Sequence, residues 1–295
     1  RRSGYLTKTQ AERLLAFSNN SGPLFIVGAV SVGMFNIPQL GVLLLFCHAA
    51  ASITVGLVFR FYGGKETHMP TGANRLTVLT MLKKELLSTD NRQESAGALL
   101  GNAVKNSISS ILAIGGFIIL FSVIINILLE TGVIGGLTSL AAPLLSPAGV
   151  GKELAASLIS GFFEITTGTK MASTADGAGL IQRITAAAAI IGWAGLSVHA
   201  QVISIINKED ISPLPYILGK LLHGIISGIY SFLALKTAGS RILSTIPAFL
   251  DFDPVSAPAW RLNLAVSVQC LLLCLFLIIL AGTAQVFIEL FRARK

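Results

Sequence analysis

Charge is what this sequence lacks most. Of 295 residues only 12% are Asp, Glu, Lys or Arg and 53% are hydrophobic, whereas an ordinary soluble domain is about 25% charged. A water-soluble globular enzyme is thereby excluded. Cysteine is scarce as well. Cys47, Cys270 and Cys274 lie in apolar runs with no even-numbered framework and no Cys-x-x-Cys pair, so neither a disulfide scaffold nor a zinc or other metal site is expected. Cys270 and Cys274 share a helix face at i, i+4 and read as packing. Aromatics at 7% leave no stacking surface for bases. No Walker motif or other nucleotide-binding signature is present, which argues against direct ATP drive, and no cofactor is expected. The net charge of +8, from 22 basic and 14 acidic residues, sits in flanks and one long loop. That pattern orients a chain in a membrane and does not suggest nucleic acid.

What is present in quantity is apolar sequence, with several runs longer than the ~18 residues that mark a membrane-spanning helix. The expected fold is an all-α polytopic membrane protein in contact with the lipid bilayer. A short helix begins near Thr7 or Thr9 and runs to Leu15, with Gln10 and Glu12 in its first turn. The polar cluster Ser18, Asn19, Asn20, Ser21, Gly22, Pro23 interrupts it before Leu24–Phe35 resumes, a broken helix or re-entrant segment too short to span alone. Full spans are expected at Gln39–Tyr62, Ser107–Leu129, Leu214–Leu235 and Leu262–Leu290. Between them lie Val133–Pro147, a partial span or interfacial helix, and Gly151–Phe163, a short apolar helix running into Glu164–Lys170. Ile181–Ile206 is long enough to span but is broken at Gly192–Ser197.

The segment from Arg60 to Lys105 is basic, and so is the tail Phe291–Lys295; both are expected on the cytoplasmic side. Leu76, Leu79, Leu82 and Leu86 have helical spacing, consistent with an amphipathic surface helix or a solvated linker helix. With those ends inside, one full crossing plus one re-entrant hairpin satisfies the parity of residues 133–206. The corresponding division is 1–62, the remainder of a first repeat; 63–106, a basic cytoplasmic loop; 107–236, a second repeat; and 237–295, an external loop, last span and tail.

Two places share one pattern, an apolar helix, a small and polar break, and a further short apolar helix. Leu14–Ile26 is the first and Ala188–Ala200 the second, 174 residues later. Discontinuous segments at corresponding positions of two halves point to a transporter site. Unwound backbone in hydrocarbon leaves unpaired N–H and C=O groups at several kcal/mol each, so it survives only against protein, water or ligand. Half-helix N-termini suit carboxylates and other anions. The candidate binding residues are Ser18, Asn19, Asn20, Ser21, Glu164, Thr166, Thr167, Lys170, Ser197, His199 and Gln201, with Gly22, Gly168, Gly192 and Gly195 as helix-break glycines. Each has a plainer alternative. Asn19 and Asn20 could cap the following helix, Ser197 could bond a carbonyl of its own helix, Lys170 could snorkel to the interface, and His199 could be a satisfied core histidine. His48, Lys220 and His223 lie in regular spans, where helix-to-helix pairing is expected. No catalytic residues are assigned: Ser197 and His199 are two apart, so one helix points them to different faces, and no nucleophile motif surrounds either.

The stretches Gly161 Phe162 Phe163 Glu164 Ile165 Thr166 Thr167 Gly168 Thr169 Lys170, Gly195 Leu196 Ser197 Val198 His199 Ala200 Gln201 Val202, and Glu12 to Ile26 resemble the sporulation integral membrane protein family YlbJ, also called SpoVV. The broader relatives are the nucleoside-recognition Gate proteins. The resemblance implies an inverted-repeat transporter-like bundle with broken helices and re-entrant segments, similar to concentrative nucleoside transporters. It also implies endospore formation, the outer forespore membrane, and passage of dipicolinic acid from the mother cell. Family members begin with further transmembrane helices and a Ser-Gly-Tyr-Pro-x-Gly-Ala-Lys-like motif, so the chain is expected to start within the first repeat. Dipicolinate is a planar dianion. Lys170, His199 and half-helix N–H groups suit its carboxylates and Asn19 or Asn20 its edge, whereas Glu164 would repel it and is expected to be structural or a proton-coupling group. The alternatives are a nucleoside-like permease and a non-transporting spore-envelope scaffold. A homo-oligomer is compatible with each.

Overall fold

The computed structural model describes residues 6–63, 96–207, 209–245 and 268–269. Among them every regular element is helical: α1 Lys8–Ser18, α2 Leu24–Met34, α3 Leu40–Phe59, α4 Ala96–Glu130, α5 Val133–Leu145, α6 Lys152–Phe163, α7 Ile165–Ser173, α8 Leu180–Trp193, α9 Gly195–Ile206 and α10 Pro213–Thr245, with one 3₁₀ turn at Ser146–Ala148. The chain divides into two units, Arg1–Ile246 and Pro247–Lys295, and the ten helices belong to the first. The amphipathic segment at Leu76–Leu86, Cys270, Cys274, the last span and the basic tail lie outside the described residues.

Among the described residues four helical stretches are long and apolar enough to cross a bilayer: Leu40–Phe59, Leu100–Glu130, Leu180–Ile206 and Pro213–Thr237. Two boundaries differ from the sequence expectation. α4 starts at Ala96, eleven residues before Ser107, because Ala96–Asn106 contains good helix formers and no proline to stop the winding. α10 continues through Arg241 to Thr245 for the same reason. α4 is apolar and exposed along nearly its whole length, as a helix facing lipid must be.

The hydrogen bonds between helix ends set the path of the chain. Thr7 and Gln10 form a reciprocal capping box that starts α1. Within α1, Lys8 pairs with Asp210 at 2.7 Å, the buried Glu12 accepts from Tyr62 Oη and from Ser212 N, and Arg13 donates to Tyr62 O. The start of α1, the end of α3 and the α9–α10 turn therefore share one end of the bundle. At the other end Glu153 accepts from Gly177 N, Gln182 donates to Gly149 O, and the Arg183 guanidinium lies over the Phe35 ring. The starts of α6 and α8 and the ends of α2 and α7 meet there.

It follows that α1 and α2 form one broken crossing from the Lys8 end to the Glu153 end. Eleven residues of α helix rise about 16 Å, so the break lies about that far from the Lys8 end. α3 returns to the Lys8 end. α6 and α7 enter and leave at the Glu153 end as a re-entrant hairpin, α8 and α9 make a second broken crossing back to the Lys8 end, and α10 recrosses. Adding 174 to the bounds of α1, α2 and α3 gives 182–192, 198–208 and 214–233, which fall on α8, α9 and α10. The two sets run in opposite directions, so this is an inverted repeat.

Close packing is carried by small residues. A Cβ on Gly192 would come within 2.7 Å of Gly224 Cα, and one on Gly219 within 2.7 Å of Ala16 O. α8 and α1 thus reach α10 backbone to backbone, the usual device where lipid removes the hydrophobic drive between helices.

Candidate functional site

Glu164 is the hinge of the re-entrant hairpin. Its backbone is extended (φ −145°, ψ 126°), which ends α6 and starts α7, and its carboxylate accepts from Thr166 N at 2.9 Å and Thr167 N at 2.7 Å. The N-terminus of α7 is thus neutralised by its own cap. Below the hinge the arms touch at Gly168 and Gly161. The hairpin tip meets the break between α8 and α9: a Cβ on Gly195 would lie 3.1 Å from Ile165 N and 3.2 Å from Glu164 Cα. The break is made by Ala194 (φ 74°) and Gly195 (φ 80°). Left-handed backbone at alanine stores about 1–2 kcal/mol, strain of a kind concentrated at functional sites. α9 starts there without a side-chain cap.

A chain of aromatic and polar contacts joins this crossing to the α1 break. Trp193 stacks on Phe162 with centroids 5.4 Å apart and donates Nε1–H to Phe162 O. His199 stands edge-on to Trp193 at 4.3 Å, and its Nδ1 lies 3.1 Å from Tyr216 Oη. Asn19 Nδ2 donates to the same hydroxyl at 2.9 Å. Lys220 Nζ donates to Asn19 O at 2.9 Å and lies 3.2 Å from His223 Nδ1. His223 Nε2 lies 3.0 Å from His48 O. A carbonyl can only accept, so Nε2 of His223 carries its proton, and Nδ1 of the neutral ring accepts from Lys220. Asn20 donates to Phe17 O and Ser52 Oγ, and Ser52 donates to Phe17 O, which supplies donors to a carbonyl at the end of α1.

A separate groove of about 510 Å³ opens between α2 and α7, lined by Ala29, Gly33 and Met34 on one side and Thr166, Thr167, Lys170 and Met171 on the other. Its α2 wall is wound as a π-helix, a conformation rare in proteins and frequent at functional sites. Among the described residues there is no group of three His, Cys, Asp or Glu able to hold a metal ion.

Residues 111–209, which include α5 to α9, match the family described as Gate, nucleoside recognition. Over 245 residues, 80% of this chain, the sequence is 36% identical to sporulation integral membrane protein YlbJ of Bacillus subtilis (strain 168). Over that stretch the chain is similar to the YlbJ family. It spans 58% of the length of that relative. No solved structure matches it.

The expected site residues fall into two groups. Thr166, Thr167 and the exposed Lys170 line the groove in the Glu153 half. Asn19 and His199 belong to the contact chain on the Lys8 side of the breaks. Glu164 and Ser197 are buried beside the crossing, and Gln201, half-buried, is turned about 200° around α9 from His199. Ser18 is exposed at the end of α1, Ser21 is half-buried within the break, and Gly22 has open space around it. Gly168, Gly192 and Gly195 are all at close backbone approaches. Asn19 and Asn20 do not cap α2, which has no side-chain cap. Ser197 Oγ and His199 Nε2 are buried without a hydrogen-bond partner, so neither the own-helix bond for Ser197 nor the fully satisfied histidine is what the fold contains.

Tyr216 and Lys220 were absent from the expected set although they bond directly to Asn19. A signal for them exists. Tyr216, Lys220, His223, Ser227 and Ser231 recur at spacings of 4, 3, 4 and 4 within an apolar span, and all five are buried on one stripe of α10. His48, Lys220 and His223 do pair between helices as expected, yet they do so at the α1 break.

Proposed function

We propose that this chain is the core of a transporter for a small planar anion, dipicolinate, moved from the mother cell across the outer forespore membrane. The observation that carries the reading is the contact of the Glu164 hairpin tip with the Ala194–Gly195 break inside the bundle, with a second break at Asn19–Gly22 in an inverted position. Backbone interrupted there is tolerated only where it lines a path or is buried in protein. Binding is assigned to the groove, where Lys170 supplies positive charge, Thr166 and Thr167 supply hydroxyls, and Met34 and Met171 supply apolar surface for a flat ring. Its volume suits a ligand of that size. The uncapped N-terminus of α9 with Ser197 is the next anion position inward. The groove opens in the Glu153 half, while Lys8–Asp210, Glu12–Tyr62 and Glu12–Ser212 close the Lys8 end. Entry from the mother cell, on whose side the basic segment after α3 puts the Lys8 end, requires α1 to part from these partners.

The test is complementation of a sporulating strain lacking the full-length protein, together with dipicolinate flux in proteoliposomes. Lys170→Ala should lower flux without lowering thermal stability, because the side chain is exposed. Normal spore dipicolinate in the null strain sinks the reading. So does normal dipicolinate when Asn19, Asn20, Lys170 and His199 are all alanine, the result a scaffold would give. The Gate match favours a second reading, a nucleoside-like permease, and competition of dipicolinate flux by uridine separates the two.

A further inference from the structure

We infer that Lys220 is a tethered coupling cation, so that transport by this fold is driven by protons and needs no sodium ion. The inference rests on the transporter reading and assigns its energy source. Lys220 is 0% exposed. Its Nζ donates to the carbonyl of Asn19, the residue that ends α1, and to His223 Nδ1, both neutral groups. Among the described residues no carboxylate pairs with it. The C-terminal carbonyls of a helix carry roughly half a negative charge. In transporters with discontinuous helices such half-helix C-termini and unwound carbonyls coordinate the coupling ion. Here an ammonium occupies that position.

The cation has no counterpart in the inverted repeat. The residue 174 positions before Lys220 is Phe46, an exposed apolar side chain. The cation is therefore particular to the α1 break. The other groups facing it are His223 and Tyr216 on α10, His48 on α3, His199 on α9 and the Asn19 carbonyl on α1. α8 presents Ala189, Gly192 and Trp193 to α10 and no ionisable side chain there. The carboxylate of Glu12, the acidic side chain of α1, is bonded to Tyr62 and Ser212. Among the described residues the ammonium thus has no nearby counter-charge except the α1 dipole. While protonated, Lys220 holds the end of α1 against α10. When an Nζ–H bond breaks, the electron pair stays on nitrogen and the proton passes to its hydrogen-bonded acceptor, His223 Nδ1. The charge–dipole attraction is then lost, and α1 is free to move.

The test uses the full-length protein in proteoliposomes with labelled dipicolinate as the probe, and detergent-solubilised protein without substrate. In the wild type, a pH gradient should drive accumulation above equilibrium, and replacing sodium by choline should change neither accumulation nor the unfolding temperature. Lys220→Met should retain dipicolinate counterflow while losing pH-driven accumulation by about tenfold or more. Lys220→Arg, which keeps the charge but cannot release a proton, should hold α1 in place and lose both counterflow and pH-driven accumulation, and it covers the case in which the methionine variant fails to fold. Sodium-driven accumulation, a sodium-dependent rise in wild-type stability, or pH-driven accumulation by Lys220→Arg overturns the inference. If the wild type shows no dipicolinate counterflow, the substrate reading fails, and the sodium stability comparison alone decides this one.

Discussion

Gly168→Ala tests the hairpin at its tightest point. A Cβ at Gly168 would lie 2.2 Å from Gly161 Cα, 2.4 Å from Gly161 N and 2.9 Å from Ser157 O. Carbon atoms that are not bonded settle at about 3.5–4.0 Å, so the arms must part by about 1.5 Å. The obstructing atoms are backbone and cannot rotate away. Overpacking of this kind costs about 1–3 kcal/mol, and a rigid contact belongs at the upper end. Gly136→Ala is the control, because it lies on an exposed face of α5 with nothing within 4 Å; there alanine should gain up to about 1 kcal/mol of helix propensity. The assay is thermal unfolding followed by Trp193 fluorescence in a Trp260→Phe background, since Trp193 stacks on Phe162 at the end of α6. At about 2–4 °C per kcal/mol, Gly168→Ala should melt about 5 °C or more below wild type. It should also lose dipicolinate flux, because an ångström at the reacting or binding geometry is enough to abolish it. Equal melting of the two variants would refute the close crossing of α6 and α7.

Three further outcomes follow from local geometry. Glu164→Gln keeps one acceptor oxygen for two N–H groups and should cost about 1 kcal/mol in thermal unfolding, with the pH response of flux unchanged; a lost pH response would make Glu164 the titrating group. Ala194→Gly removes the left-handed strain and adds glycine's chain entropy, for a net gain of about 0.5–1 kcal/mol, and an unchanged or lower unfolding temperature counts against the αL break. Tyr62→Phe deprives the buried Glu12 carboxylate of one donor and should destabilise by about 1 kcal/mol, read as faster proteolysis near residue 62 and a lower unfolding temperature, whereas wild-type behaviour would dismiss the α1 clamp.

Much of the architecture was legible because lipid makes backbone interruptions conspicuous. Ser18–Pro23, Glu164–Thr169 and Gly192–Ser197 stand out as polar or small runs in apolar surroundings, and each does break a helix. The 174-residue offset found from two weakly similar segments extends to three helices. The site was read less completely. Lys170 was visible beside a break, and the fold leaves it in an open groove. Lys220 looked like an interior residue of a regular span, and only the approach of α1 to α10 places it on the Asn19 carbonyl. Glu164 stood out as an ionisable group, yet its carboxylate is engaged by the N–H groups two and three residues on.

The amino-acid sequence alone determined that the protein lies in a membrane, where its helices are interrupted, and that its halves repeat, because these depend on composition and on patterns local to one segment. Tertiary structure decided that α1–α2 crosses while α6–α7 turns back, that the hairpin tip touches the Ala194–Gly195 break, and that a buried lysine serves the end of a distant half-helix. Those facts depend on which helix ends meet. The meeting is brought about by single side chains such as Glu12, Glu153 and Asp210 acting over 24 to 202 residues, a range over which hydrophobic periodicity carries no information.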